Sequence, residues 1–191
     1  MSQSEPAAAS SAPRNPRKDG AIHVCPLSAV PDTVAKSQAS HLLTWLQDEI
    51  VVETPRLITP ERHIRFHIHD ISEPIPGYVQ PGAEHIDQLI AFARDWGGRG
   101  PIVVHCWAGI SRSTAAAYTA LCAINPDASE ELIAVRLRQA SPTAYPNRLM
   151  IRLADAALDR QGRMVRAIES IGRGVVAGEA APFSLPADHS E

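Results

Sequence analysis

His105-Cys106-Trp107-Ala108-Gly109-Ile110-Ser111-Arg112-Ser113-Thr114 is the stretch of this 191-residue chain whose residue types and spacing suit covalent chemistry. It follows a short, wholly apolar run, Pro101–His105 (PIVVH), and precedes a helical pattern that begins near Arg112. Cys106 therefore falls just beyond a strand, where the chain must turn before a helix starts. Gly109 lets that turn adopt backbone conformations that other residues resist. Amides of Trp107, Ala108, Gly109, Ile110, Ser111 and Arg112 then converge on one point at the positive end of the helix dipole, an anion site of phosphate size. A thiol at the floor of such a site is favoured as a thiolate nucleophile. Arg112 adds a planar fork that matches two oxygens of a phosphoryl group. Ser113 is placed to donate to the sulfur and make it a better leaving group in a second step.

The pattern H-C-x5-R-S resembles the signature of the cysteine-dependent protein tyrosine phosphatases. Cys-Trp-Ala-Gly-Ile-Ser-Arg-Ser is most similar to the compact dual-specificity-like, bacterial-type branch of that superfamily. The resemblance spans roughly Ala21–Ile171: the strand ending in Asp70, the helix through Ile90, the signature, and Tyr145-Pro146-Asn147 opening a later helix fall in the family's order. It implies a phosphatase without metal or cofactor, working through a cysteinyl-phosphate on Cys106. It also implies an aspartate acid on the loop after the preceding strand. Asp70, 36 residues before Cys106 and at the start of a Pro-rich loop, holds that place. Glu73 shares the loop, Asp87 and Asp95 belong to the face of the following helix, and Asp48 lies too early. The resemblance gives His105 a supporting role, buried and hydrogen-bonded to the loop backbone. It also raises a reversible Cys25–Cys106 disulfide, against the plainer reading of Cys25 as a core residue. Cys122, in an Ala-rich helix, reads as core.

Other residues invite weaker readings. His63, His67 and His69 share a strand face, but no nearby carboxylate–histidine set completes a metal site, so a structural role is preferred; the alternative puts His67 or His69 near the active-site rim in support of Asp70. The Trp107 indole is expected to pack beneath the loop. Arg148 and Arg152, one turn apart at the start of the last long helix, read first as a solvated face and second as a contact for an acidic substrate segment.

The elements that must position these residues follow from periodicity. Strands are expected over Ala21–Leu27 and His41–Leu46, and over Arg62–Ile68, where apolar and polar residues alternate. A loop marked by Pro74, Pro76, Gly77, Pro81 and Gly82 leads to a helix over Ala83–Trp96, closed by Gly97-Gly98. Pro101–His105 suits a central strand buried on both faces. Helices are expected over Arg112–Ile124, Ser129–Gln139 and Asn147 to about Ile171. The alternation predicts an α/β fold: three layers, α/β/α, around a mainly parallel sheet of four to five strands. Residues 1–20 and 172–191 are expected to be a disordered and a flexible tail around a catalytic domain at 21–171, with Val175, Val176, Phe183 and Leu185 able to dock locally.

Composition narrows the class. A formal charge of −3 lacks the basic footprint of a nucleic-acid or anionic-membrane binder. There is no apolar run long enough to span a membrane and no secretory pattern in the first twenty residues, and three cysteines fit a reducing compartment. The expectation is a cytoplasmic monomer acting on a phosphorylated protein or a small phosphomonoester. Phosphotyrosine is the expected substrate, with phosphoserine and phosphothreonine beside it. The alternatives are a phosphate-binding module without turnover, a sulfurtransferase or arsenate reductase on a similar loop, and a phosphoinositide phosphatase. The neutral loop Trp107–Ser111 argues against the last, and the acid at Asp70 against the sulfur and arsenic chemistries.

Overall fold

A computed structural model describes residues 19–189. Five strands form one sheet: β1 (Ala21–Pro26), β2 (His41–Leu46), β3 (His63–His67), β4 (Pro101–Cys106) and β5 (Phe183–Pro186), in the order β3-β2-β4-β1-β5. β3, β2, β4 and β1 run parallel, while β5 pairs antiparallel with β1. Ile102, Val103 and Val104 of the central strand are at most 1% exposed, as a strand covered on both faces requires.

The pleat divides the core in two. Ile22, Val24, Ile102, Val104 and Cys106 face the larger cluster, whereas Cys25, Leu42 and Val103 face the smaller one with Val30 and Val34. The smaller side is covered by α1 (Val30–Ser37). That helix is only two turns long and carries Pro31 in its first turn, so it offers too short a periodicity to be expected from the sequence. The larger side is covered by α2 (Ala83–Trp96), α3 (Arg112–Ile124), α4 (Glu130–Ala140), α5 (Arg148–Ala157) and α6 (Arg163–Ser170). Every residue of α3 is buried. Its alanines let it lie close against the sheet while α2, α4 and α5 pack around it. Among the described residues no helix is long and apolar enough to cross a membrane.

Two expectations are corrected. The single helix expected from Asn147 to about Ile171 is broken: Asp159, Gln161 and Gly162 have positive φ, and Asp155 accepts hydrogen bonds from Gly162 N–H (2.6 Å) and Met164 N–H (2.9 Å), which starts α6 as a separate helix. The expected flexible tail at 172–191 instead supplies β5. Leu185 is 2% exposed and Ala187 is fully buried. Ala187 N–H donates to Gly20 O at 2.9 Å, and Asn125 Nδ2 donates to Ala187 O at 2.9 Å. The physical reason is the edge of β1, whose unpaired backbone groups need a partner strand. Residues 1–18 of the expected N-terminal tail lie outside the described residues, while Gly20 is already tied in through its N–H to Gly98 O at 2.8 Å.

Candidate active site

The turn between β4 and α3 is shaped from outside. Carbonyls of Trp107, Ala108, Ile110 and Ser111 accept hydrogen bonds from the N–H groups of Leu27 (3.0 Å), Ala180 (2.8 Å), Tyr145 (2.9 Å) and Asn147 (3.3 Å). Because a peptide is planar and trans, a carbonyl drawn outward turns the next N–H the opposite way. The N–H groups that follow these four carbonyls are thereby turned to the inner side of the turn. Inward N–H groups at the start of a helix are the arrangement an anion site requires.

Gly109 is required for two reasons. Its φ is +71°, and a Cβ there would meet Pro26 N at 2.8 Å and Cys25 C at 2.9 Å. The turn thus rests on the backbone end of β1, with no room for a side chain.

Cys106 is 2% exposed, and its Sγ lies 3.2 Å from Ser113 Oγ on the first turn of α3. Arg112 is 5% exposed, and its Nη1 donates to Ile68 O at 2.9 Å. Its Nε is buried without a hydrogen-bond partner. Leaving such a donor unpaired is costly, so it marks a place where an acceptor belongs. Asp70 Oδ2 stands 3.8 Å from that Nε, too far for a hydrogen bond. The other carboxylate oxygen accepts from Ser111 Oγ (2.7 Å) and Asn147 Nδ2 (2.9 Å). Asp70 is thereby brought to the start of α3 beside Arg112, while Ser113 on the same turn reaches Cys106.

Asn147 and Thr44 join the site without a sequence signal for chemistry, and His63 joins it in a structural role. Asn147 caps α5 by accepting from Met150 N–H (3.1 Å) while its amide nitrogen holds Asp70. An Asn placed before a helical pattern signals the cap, but not its second contact. Thr44 and His63 belong to a chain of hydrogen bonds behind the turn. His105 Nδ1 is 3.3 Å from Cys106 O, a group that can only accept, so Nδ1 carries the proton. Burial pulls the His105 pKa down to about 4, so the ring is neutral and its Nε2 accepts from Thr44 Oγ1 at 2.7 Å. The Thr44 oxygen then accepts from His63 Nε2 at 2.8 Å. Burial likewise holds the His63 pKa near 4, and its Nδ1 accepts from Thr54 Oγ1 at 2.9 Å. Arg65 Nη2 closes the chain on Thr54 Oγ1 at 3.1 Å. Every donor points toward Cys106 O, which fixes the tilt of His105.

The remaining expectations separate. Trp107 does not pack beneath the turn: it is 54% exposed, because the space below is taken by the end of β1. His67 pairs with Asp48, and His69 Nδ1 accepts from Val79 N–H at 3.1 Å, so the histidines of this strand do not converge. Asp87 and Asp95 lie on α2. Cys25 faces the opposite side of the sheet from Cys106, and burial pushes its thiol up to about 11. Cys122 is likewise a core thiol, pushed up to about 12 by burial.

No family model and no curated protein matches the sequence. Solved structures do match. DUSP15 superimposes with a TM-score of 0.58 at 17% identity, covering 78% of this chain and 89% of that one. Human DUSP28 gives 0.56 at 17% identity, over 73% of this chain and 94% of that one. The fold is that of the dual-specificity phosphatases. PTPMT1 in complex with PI(5)P matches with a TM-score of 0.53 at 15% identity, over 79% of this chain and 97% of that one.

Proposed function

We propose that the chain is a cysteine-dependent phosphomonoesterase acting on phosphotyrosine, and on phosphoserine and phosphothreonine, in phosphorylated proteins. The observation that carries this reading is the buried Arg112, its Nε without a hydrogen-bond partner, on the first turn of the helix that follows Cys106, at the end of a turn whose carbonyls are bonded outward. A phosphoryl group seated there receives donors from both.

The Cys106 thiolate attacks phosphorus in line with the ester oxygen. The S–P bond forms as the P–O bond breaks, and Asp70 gives its proton to the departing oxygen. The carboxylate so produced takes a proton from water, which attacks phosphorus and displaces the sulfur as inorganic phosphate forms. Ser113 O–H, 3.2 Å from Sγ, donates to the sulfur as it regains negative charge. Arg112 and the turn amides hold the equatorial oxygens throughout, and preorganised donors of this kind are worth most where charge develops. His105, held neutral, takes no proton in either step.

We assign the catalytic unit to Gly20–His189, because the C-terminal segment is bonded to the turn through Ala180 N–H to Ala108 O and to Gly20 O through Ala187 N–H. A phosphoinositide substrate is the alternative, and the uncharged residues Trp107–Ser111 favour the protein substrate over it.

The test is hydrolysis of para-nitrophenyl phosphate near pH 6 in EDTA. Turnover by the wild type and none by Cys106→Ser is the expected result. A wild type that binds vanadate or a phosphopeptide yet turns nothing over overturns catalysis and leaves a phosphate-binding module.

A further inference from the structure

The chain that leaves Asp70 must come back to begin α2, and its two arms are held in different ways. On the outgoing arm, Ile68 extends β3 by donating its N–H to Leu46 O at 3.0 Å. Beyond Asp70, α5 reaches the backbone through Asn147 Nδ2 to Ile71 O (3.3 Å) and Arg152 Nη2 to Ser72 O (3.4 Å). Both of these bonds are long for an N–H···O contact. On the returning arm, His69 binds Val79 twice: its backbone N–H donates to Val79 O at 2.7 Å, and Val79 N–H donates to its ring Nδ1 at 3.1 Å. Between them Tyr78 N–H donates to Ile75 O at 3.0 Å, with Gly77 at φ +81°. Pro74, Pro76 and Pro81 have no N–H to give. Among the described residues, the two bonds at Val79 are the hydrogen bonds that join positions 73–81 to the rest of the chain.

The His69 ring therefore acts through one defined atom. A backbone N–H can only donate, so Nδ1 is the acceptor, and the proton of the neutral imidazole sits on Nε2. The Tyr78 ring packs edge to face against it, with centroids 4.6 Å apart and an interplanar angle of 61°. His69 is thus fixed at its backbone, at a ring nitrogen and at its ring face. The next residue is Asp70, whose Oδ2 lies 3.8 Å from Arg112 Nε.

We propose that His69 is a positioning residue for the acid, clasping the return of the loop so that Asp70 points at the departing oxygen. The inference rests on the phosphatase reading, in which Asp70 protonates that oxygen. With the clasp made, the Asp70 carboxyl springs from a fixed backbone, and its contacts with Ser111 and Asn147 need only select a rotamer. Without it the returning arm is loose, and the outgoing arm, on two long bonds, carries Asp70 through a range of directions. Proton transfer tolerates little of that, since the acid must stand within hydrogen-bond reach of the atom it protonates. Cys106 and Arg112 stand on β4 and α3, so the clasp bears on proton transfer more than on attack.

The experiment measures kcat/KM on a series of aryl phosphates, from para-nitrophenyl phosphate to phenyl phosphate, for wild type, His69→Phe and His69→Asn. Phenylalanine keeps a ring against Tyr78 but has no acceptor. Asparagine gives up the ring, yet its Oδ1 is bonded to Cγ as Nδ1 is, and can accept from Val79 N–H. His69→Phe is expected to lose about tenfold on phenyl phosphate and about twofold on para-nitrophenyl phosphate, so that kcat/KM falls more steeply with the leaving-group pKa. His69→Asn is expected to stay within about twofold of wild type across the series. In an Asp70→Asn background, His69→Phe causes no further loss on phenyl phosphate, because the clasp acts through that carboxyl. Hydrogen exchange of the Val79 amide, faster in His69→Phe and near wild type in His69→Asn, reads the clasp without turnover. Equal losses at both ends of the series, the opposite ranking of the two variants, or additive losses in the double variant overturn the proposal. A wild type that hydrolyses none of these esters removes the phosphatase reading, and the positioning role falls with it whatever the Val79 amide shows.

Discussion

At the scale of single residues, the proposed chemistry rests on Arg112 and Asp70. The guanidinium is buried and anchored at one nitrogen by Ile68 O, while its Nε has no hydrogen-bond partner. The Asp70 carboxylate is held at one oxygen by Ser111 and Asn147, which leaves the other facing the same space. Asp70→Asn keeps both of those contacts able to form but removes the proton donor. Turnover of a phosphotyrosine peptide is expected to fall about a hundredfold or more, and that of para-nitrophenyl phosphate by under about tenfold, because nitrophenolate leaves without protonation. Steady-state kinetics on the two substrates checks this, and equal losses would assign the acid to another group. Asn147 was legible as a cap, but its grip on Asp70 was not, since that contact joins residues 77 positions apart.

At the scale of elements, three neighbouring strands carry the hydrogen-bond chain behind the turn. Thr44 on β2 is in register with His105 on β4, and His63 on β3 reaches the same threonine from the other side. Both histidines have folded-state pKa values near 4, below the usual 6.5, because burial opposes their charged forms. Between those values the unfolded chain binds protons that the folded chain does not. Their contribution to stability is therefore complete above about pH 6.5 and declines as pH falls toward 4. Urea midpoints measured across this range are expected to drop on acidification, and less steeply in His63→Gln. An identical slope in the variant would show that His63 takes no part. The chain also predicts that Thr44→Val slows alkylation of Cys106 by iodoacetamide, because His105 loses the donor that sets its tilt, while Thr44→Ser retains the wild-type rate. Equal rates in Thr44→Val and wild type would separate the strands from the turn.

For the whole molecule, the C-terminal segment closes the sheet and reaches the site. β5 covers the edge of β1, Leu185 and Ala187 are buried, and Ala180 N–H holds the Ala108 carbonyl outward. A chain truncated after Glu179 exposes that edge and loses the apolar burial of Leu185, worth about 2 kcal/mol. Its melting temperature is expected to fall by about 5 °C or more. Its kcat on para-nitrophenyl phosphate also falls, because one of the bonds shaping the turn is gone. Thermal unfolding followed by circular dichroism, together with activity at 20 °C, checks both. Unchanged values would return this segment to the status of a tail.

By itself, the sequence determined the fold class and the candidate reacting groups. Local pattern specifies them: a buried apolar strand, a glycine turn and a helix start at fixed spacing place Cys106, Arg112 and Ser113 together wherever the chain folds. The strand ending before Asp70 was equally legible, since alternation of apolar and polar residues reports which face is buried. Tertiary structure alone decided what reaches these residues from a distance. Which segments pull the turn's carbonyls outward, that Cys25 faces away from Cys106, that Trp107 is displaced to the surface, and that Arg148 and Arg173 both lie over the Tyr145 ring all depend on contacts between segments far apart in the chain. No local periodicity encodes such contacts. They are fixed by which faces and edges remain to be covered once the sheet has formed.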